Sequence, residues 1–279
     1  MQFDSNRAWR EATQMASANR EVLGAVAGVF FILPGLISIL FFSDLQAELV
    51  QNLTNPAAFE QKMDSMAGPV IGFGLFSLAL QSVGYLAMLA LLTDKTRPTV
   101  GDALKLAIRT LPTVIGAAIV FFAGYLAALL VLALLGAGLA QISGIAALAA
   151  FAVIAMIMVV VYAMVKVSLL LPVVVIEQQF NPIAALVRSW RLTRGNSGRL
   201  FLFYSLLSVV YFVILMVVTM VFMALAIALA GQGKVAMLIG GVGSGIVGAG
   251  ASVVLTAVLA AIHRQLAGPS SEVVSATFD

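Results

Sequence analysis

Apolar runs long enough to cross a bilayer set the terms for this chain. From Val22 to Phe42 no charged side chain interrupts the sequence, and at about 1.5 Å per helical residue such a run covers a hydrocarbon core of about 30 Å. Five more runs follow, over about 69–92, from Pro112 to the glycines at 136 and 138, from beyond Gly144 to Ile176, over about 200–230 and over about 235–262. Within lipid a backbone must satisfy its own hydrogen bonds, so each run is expected to be a helix. Composition agrees: 62% of the 279 residues are hydrophobic and 10% charged, with a mean hydropathy of +1.10, which excludes an ordinary soluble domain. The first run continues without a small-residue cleavage site, so it reads as an uncleaved span.

The polar remainder punctuates these spans. Residues 4–20 predict a weakly amphipathic helix, with Trp9, Ala12 and Ala16 on one side and Arg7, Arg10 and Gln14 on the other. Residues 43–68 are mixed and polar, and Asn55-Pro56 predicts a break. A second amphipathic helix is expected over 99–110, where Thr99 and Asp102 resemble a capping box with Asp in place of Glu. The turn Gln141-Ile142-Ser143-Gly144 separates the third and fourth spans. The fourth is too long for a perpendicular crossing, and Lys166 and Pro172 predict that it leaves the hydrocarbon, kinks near Pro172 and runs along the surface to Glu177. Gly231-Gln232-Gly233-Lys234 turns the fifth span into the sixth.

Between the fourth and fifth spans, residues 177–199 gather the charge. Asn181-Pro182 is a helix start, since Asn caps free N–H groups and Pro at the first helical position gives up no hydrogen bond. Ile183, Leu186, Val187 and Trp190 recur on one face of the helix that follows, Arg188, Arg191 and Arg194 fall on or beside the other, and Gly195 is the stop. A helix of this pattern lies in a membrane surface, with Trp190 in the interfacial layer and the arginines among lipid phosphates. Glu177 with Arg188 or Arg191 is the candidate ion pair.

Twelve of the 15 Lys and Arg fall in the N-terminal segment, the 93–111 segment, the 177–199 segment and the C-terminal tail; Lys62 and Lys234 fall on the other side. With six spans those four segments share one side, which the positive-inside rule makes cytoplasmic. Placing Ala8-Trp9, Ala103-Leu104 and Ala185-Leu186 in register aligns three surface helices, each followed by a hairpin of spans, and brings Asn19 opposite Asn196. The fold expected is an all-α membrane protein: residues 1–268 as one six-span domain of three repeats, about 4–92, 99–176 and 181–264, and a polar tail over 269–279.

Residues 173–196, V-V-V-I-E-Q-Q-F-N-P-I-A-A-L-V-R-S-W-R-L-T-R-G-N, resemble the signature of the glycerophosphoryl diester phosphodiesterase membrane-domain family and the related YciC-like bacterial inner-membrane proteins. The resemblance implies a six-span membrane module, found alone or joined to a soluble phosphodiesterase domain, and points to Glu177, Arg188, Ser189, Trp190, Arg191, Gly195 and Asn196. These residues carry no phosphodiesterase domain, so the enzyme name is not transferred with it.

Little in the sequence supports catalysis. There is no Cys, hence no thiol nucleophile, no disulfide and no thiolate metal site. No carboxylate lies deep in a span. His263 reads as an end-of-helix residue, and Ser244 lacks the G-x-S-G order of intramembrane serine proteases because position 242 is Val. The reading is a non-enzyme without cofactor or metal. Net charge of +3 is explained by orientation and needs no nucleic acid. Gly240, Ser244, Gly248 and Ser252 form a small-residue face, expected to pack helices closely, with a backbone-lined path as the alternative. Glu177, Arg188, Trp190, Arg191, Arg194, Asn196 and Arg199 are the candidate structural and anionic headgroup contacts. Membrane lipids are the expected partners, followed by a second copy or another membrane protein. The role expected is scaffold, partner subunit or envelope and lipid-homeostasis factor; the alternative is a transporter or lipid-handling protein. A cleft between the repeats favours the alternative, and a sealed interior favours the scaffold.

Overall fold

The structure, a computed structural model, describes residues 2–51, 56–93, 98–143, 146–231 and 233–268. Side chains within 44–51, 56–59, 61–62, 139–143 and 146–150, and that of residue 152, lie outside the description. The expected features at Asn55, Asp94 to Arg97, Gly144, Gln232 and the 269–279 tail, and the Lys62 side chain, therefore lie outside the described residues.

Among the described residues every regular element is helical: α1 (Ser5–Ala18), α2 (Arg20–Ala27), a π-helical turn (Gly28–Ile32), α3 (Leu33–Gln51), α4 (Pro56–Leu91), α5 (Val100–Ser143), α6 (Ala146–Val167), α7 (Leu170–Ile176), α8 (Pro182–Leu192), α9 (Ser197–Ala230) and α10 (Lys234–Ala267). Six stretches are long and apolar enough to cross a membrane: Arg20–Ser43, Met63–Leu91, Val100–Gly138, Val153–Ile176, Ser197–Ala230 and Lys234–Ala267. Their outward rows are large and greasy, as at Leu126, Leu130 and Leu134, all exposed. Rows of this kind belong against lipid. The chain is thus an all-α polytopic membrane protein.

Local chemistry explains most boundaries. The Thr99 hydroxyl donates to Asp102 Oδ2 and accepts from the Asp102 N–H, closing the start of α5. Asn181 Oδ1 accepts from the N–H groups of Ile183 and Ala184, with Pro182 in the first turn of α8. After Thr193 the chain turns through Gly195 at φ +81°, a conformation glycine adopts without strain. In the first span, Leu33 N–H reaches back five residues to the Gly28 carbonyl. The wider turn accommodates Pro34, which has no N–H and whose ring would crowd the Phe30 carbonyl in a regular helix.

Several boundaries differ from those the sequence predicts. Pro112 does not open a span: α5 runs through it, so the amphipathic stretch from 100 and the third span are one helix. Thr110 Oγ donates to the Leu106 and Ala107 carbonyls in the turn before it, and Pro112 gives up only the bond to the Ile108 carbonyl without ending the helix. Pro69 likewise lies inside α4, which starts at Pro56. The fourth span breaks after Val167, ahead of Pro172, which then sits in the first turn of α7, where an N–H would go unused. Nor does α7 run along a surface: Leu170 and Pro172 to Val175 are buried.

The chain forms two compact units, one of residues 1–12, 105–205 and 258–279, the other of residues 13–104 and 206–257. In the first, α6 and α7 pack against α8; in the second, α2, the π turn and α3 pack against α4. The three amphipathic segments bury small residues four apart, Ala8 and Ala12, Ala103 and Ala107, Ala185 and Ser189.

Candidate functional site

The first unit holds a polar knot built on the stretch that the sequence singles out. At the junction of α7 and α8, Gln178 adopts φ +51°, a left-handed conformation unusual for a residue with a side chain. Beside it, Glu177 receives the Arg188 Nε–H on both carboxylate oxygens, at 3.1 and 2.9 Å. His263, from the end of α10, places Nε2 2.9 Å from Glu177 Oε1. An ionised carboxylate only accepts, so Nε2 carries the proton. Partial burial pushes the Glu177 carboxyl up, but the hydrogen bonds and charges of His263 and Arg188 outweigh it and hold the group at about 2. His263 itself is 3% exposed.

Further contacts gather the polar ends around this knot. Asn196 Oδ1 accepts the Phe3 N–H at 2.9 Å, and Gln265 accepts from the Asp4 N–H while donating to the Asp4 carbonyl. Thr113 Oγ donates to the Phe180 carbonyl, and the Arg109 guanidinium lies 4.9 Å from the Phe180 ring centre. A Cβ at Gly116 would stand 3.0 Å from Pro182 Cγ. The N-terminal segment, the start of the third span, the 177–199 stretch and the end of the sixth span therefore meet at one place.

The structure sorts the candidate residues. Of the two partners open to Glu177, Arg188 makes the pair. Arg191 and Arg194 are exposed, and Arg199 donates to Gln2 Oε1 at 3.3 Å. The buried face of α8 is Ala185, Ser189 and Leu192, while Ile183, Val187 and Trp190 face outward. That is the disposition of a helix that rests its large apolar side chains in lipid and its small ones on protein. Ser189 Oγ donates to the Lys166 carbonyl at 2.8 Å, satisfying one of the last carbonyls of α6. Lys166 is 2% exposed, its Nζ 5.3 Å from the Tyr162 ring centre and 5.5 Å from that of Trp190. The pairing of His263 and the burial of Lys166 were not readable from spacing, because their surroundings come from distant segments.

The second unit holds a cavity of about 350 Å³. Gly241, Ser244, Gly245 and Gly248 of α10 form one wall; Phe31 of the π turn, Gly35 and Ile39 of α3, Gln81 and Tyr85 of α4 and Tyr211 of α9 complete it. The ring of Phe31 meets that of Tyr85 edge-on at 4.7 Å. The small-residue face of α10 thus does two things. Gly240 packs on Met223, and Gly241 and Gly245 receive Ile39 and Ile32 closely, whereas a Cβ at Gly248 would meet nothing within 4 Å. Ser244 Oγ donates to the Gly241 carbonyl, and Ser252, which is buried, donates to that of Ala249. Among the described residues none that lines the cavity is charged. Among the described residues the Gln81 amide and the Tyr85 and Tyr211 hydroxyls have no hydrogen-bond partner, although all three lie within apolar spans. Nearby in sequence, Ser77 Oγ and Thr219 Oγ are buried and also unpartnered.

Comparison with protein-family models, curated proteins and solved structures finds no match for this chain.

Proposed function

We propose a non-catalytic lipid-handling protein of the bacterial inner membrane, with both termini cytoplasmic, that holds an uncharged amphiphile in the cavity of its second unit. The carrying observation is the set of Gln81, Tyr85 and Tyr211 around an uncharged cavity of about 350 Å³. In hydrocarbon an unpartnered hydroxyl or amide is costly, and a ligand with two or three complementary polar atoms on an apolar body removes that cost. A charged ligand would find no counter-charge there. The volume suits part of a lipid, such as its ester-linked neck, with the tails left in the bilayer.

The orientation is supported by the meeting of four basic segments around Glu177 and by the positive-inside rule. Kinship with the membrane-domain family named above is supported by residues 173–196 alone. The scaffold reading, which needs a sealed interior, is the weaker one in view of the cavity.

Gly248→Leu tests the proposal, because the added side chain has room to enter the cavity. The protein extracted with its native lipids is expected to carry a bound amphiphile in native mass spectrometry, and the variant to keep its thermal stability and lose that species by about tenfold or more, the equivalent of about 1.4 kcal/mol. Equal retention by wild type and variant returns the protein to the scaffold reading.

A further inference from the structure

Lys166 is a buried cation without a counter-ion among the described residues. It is 2% exposed, and no carboxylate or hydrogen-bond acceptor engages its Nζ, which faces the rings of Tyr162 and Trp190. Glu177, the acid that follows along the chain, has its oxygens engaged by Arg188 and His263. On α8, Arg188 lies about 100° of helical turn to one side of Ser189 and Trp190 about 100° to the other, so the cation beside Trp190 and the Glu177 pair occupy opposite flanks. Two aromatic faces attract an ammonium but leave its N–H donors unmatched.

We propose that Lys166, Tyr162 and Trp190 form a seat for the phosphate of an anionic phospholipid headgroup, independent of the cavity in the other unit. Lys166 is the next-to-last residue of α6, and its carbonyl takes the hydroxyl of Ser189 on α8, the amphipathic helix that carries the charged stretch between the fourth and fifth spans. Tyr162 and Trp190, the rings beside the ammonium, are 50% and 43% exposed. Beside them Ile183 and Val187 present an apolar flank to the outside, which suits acyl chains and gives a free phosphate nothing to hold. An amine-bearing headgroup would bring a second cation toward Lys166, so a headgroup without one is preferred.

The chain has two Trp, so Trp9→Phe leaves Trp190 as the sole fluorophore. In vesicles containing small fractions of brominated lipid, phosphatidylglycerol is expected to quench Trp190 more effectively than phosphatidylcholine. Lys166→Gln and Lys166→Met, which keep an unbranched stem one atom shorter and remove the charge, should each lower that preference about fivefold, the effect of one cation at a headgroup. Lys166→Arg should retain it, and Arg191→Gln, an exposed charge, should change it less than about twofold. Three results overturn the proposal: a wild type that prefers neither lipid, whatever the variants do; a loss in Arg191→Gln as large as in the Lys166 variants, which marks ordinary surface anchoring; or abolition of the preference by inorganic phosphate, which marks a site for a soluble anion.

Discussion

Glu177 binds one half-exposed cation and one buried imidazole, and the two contacts are not of equal weight. Arg188 keeps 41% of its side chain in solvent while His263 keeps 4%. Glu177→Ala strands a buried donor and is expected to cost about 1–3 kcal/mol, whereas Arg188→Ala removes a largely exposed partner at about 0–1 kcal/mol. Thermal unfolding in detergent measures both. Because the folded carboxyl is held at about 2 against its usual 4.5, its contribution is complete above pH 4.5 and is lost as pH falls toward 2. Glu177→Gln should therefore flatten the stability curve in that window. The pair with Arg188 was legible because both residues lie on one charged stretch, eleven positions apart. His263 stands 86 positions away, and a lone histidine has no spacing pattern to betray its partner.

Helix α8 was legible from end to end, because its start, its stop and its outward apolar face are all local choices. Prolines were not. Pro69 and Pro112 read as span openings but lie inside α4 and α5, since a proline removes one helical hydrogen bond and a long apolar helix in lipid continues through it. The residues that the sequence aligns share one local property: Ala8, Ala103 and Ala185 are at most 1% exposed, and the residues four further on, Ala12, Ala107 and Ser189, at most 2%. Glycines give a sharper test of helix packing. A Cβ at Gly84 would lie 2.7 Å from Phe30 Cβ, and one at Gly124 would meet nothing within 4 Å. Gly84→Ala should destabilise by about 1–3 kcal/mol through overpacking, and Gly124→Ala should stabilise by about 0.5–1 kcal/mol through helix propensity. The order of their unfolding temperatures decides whether the π turn and α4 pack as described.

Six apolar stretches were countable from sequence because crossing a bilayer is a matter of length and composition, and both are written in the chain. The cavity was not, since Phe31, Gln81, Tyr211 and Gly248 approach one another only through tertiary packing; the glycine and serine spacing on α10 showed a close-approach face but not that part of it stays open. The central claim is that each apolar stretch crosses the membrane, with the polar knot on the side of both termini. The chain has no Cys, so single substitutions label cleanly. In intact cells a membrane-impermeant maleimide should modify Lys62→Cys and Lys234→Cys, and should reach Arg97→Cys and Arg194→Cys only after the cells are permeabilised. Labelling of Arg194→Cys from outside, or protection of Lys62→Cys and Lys234→Cys in unbroken cells, would contradict the count of crossings or their direction.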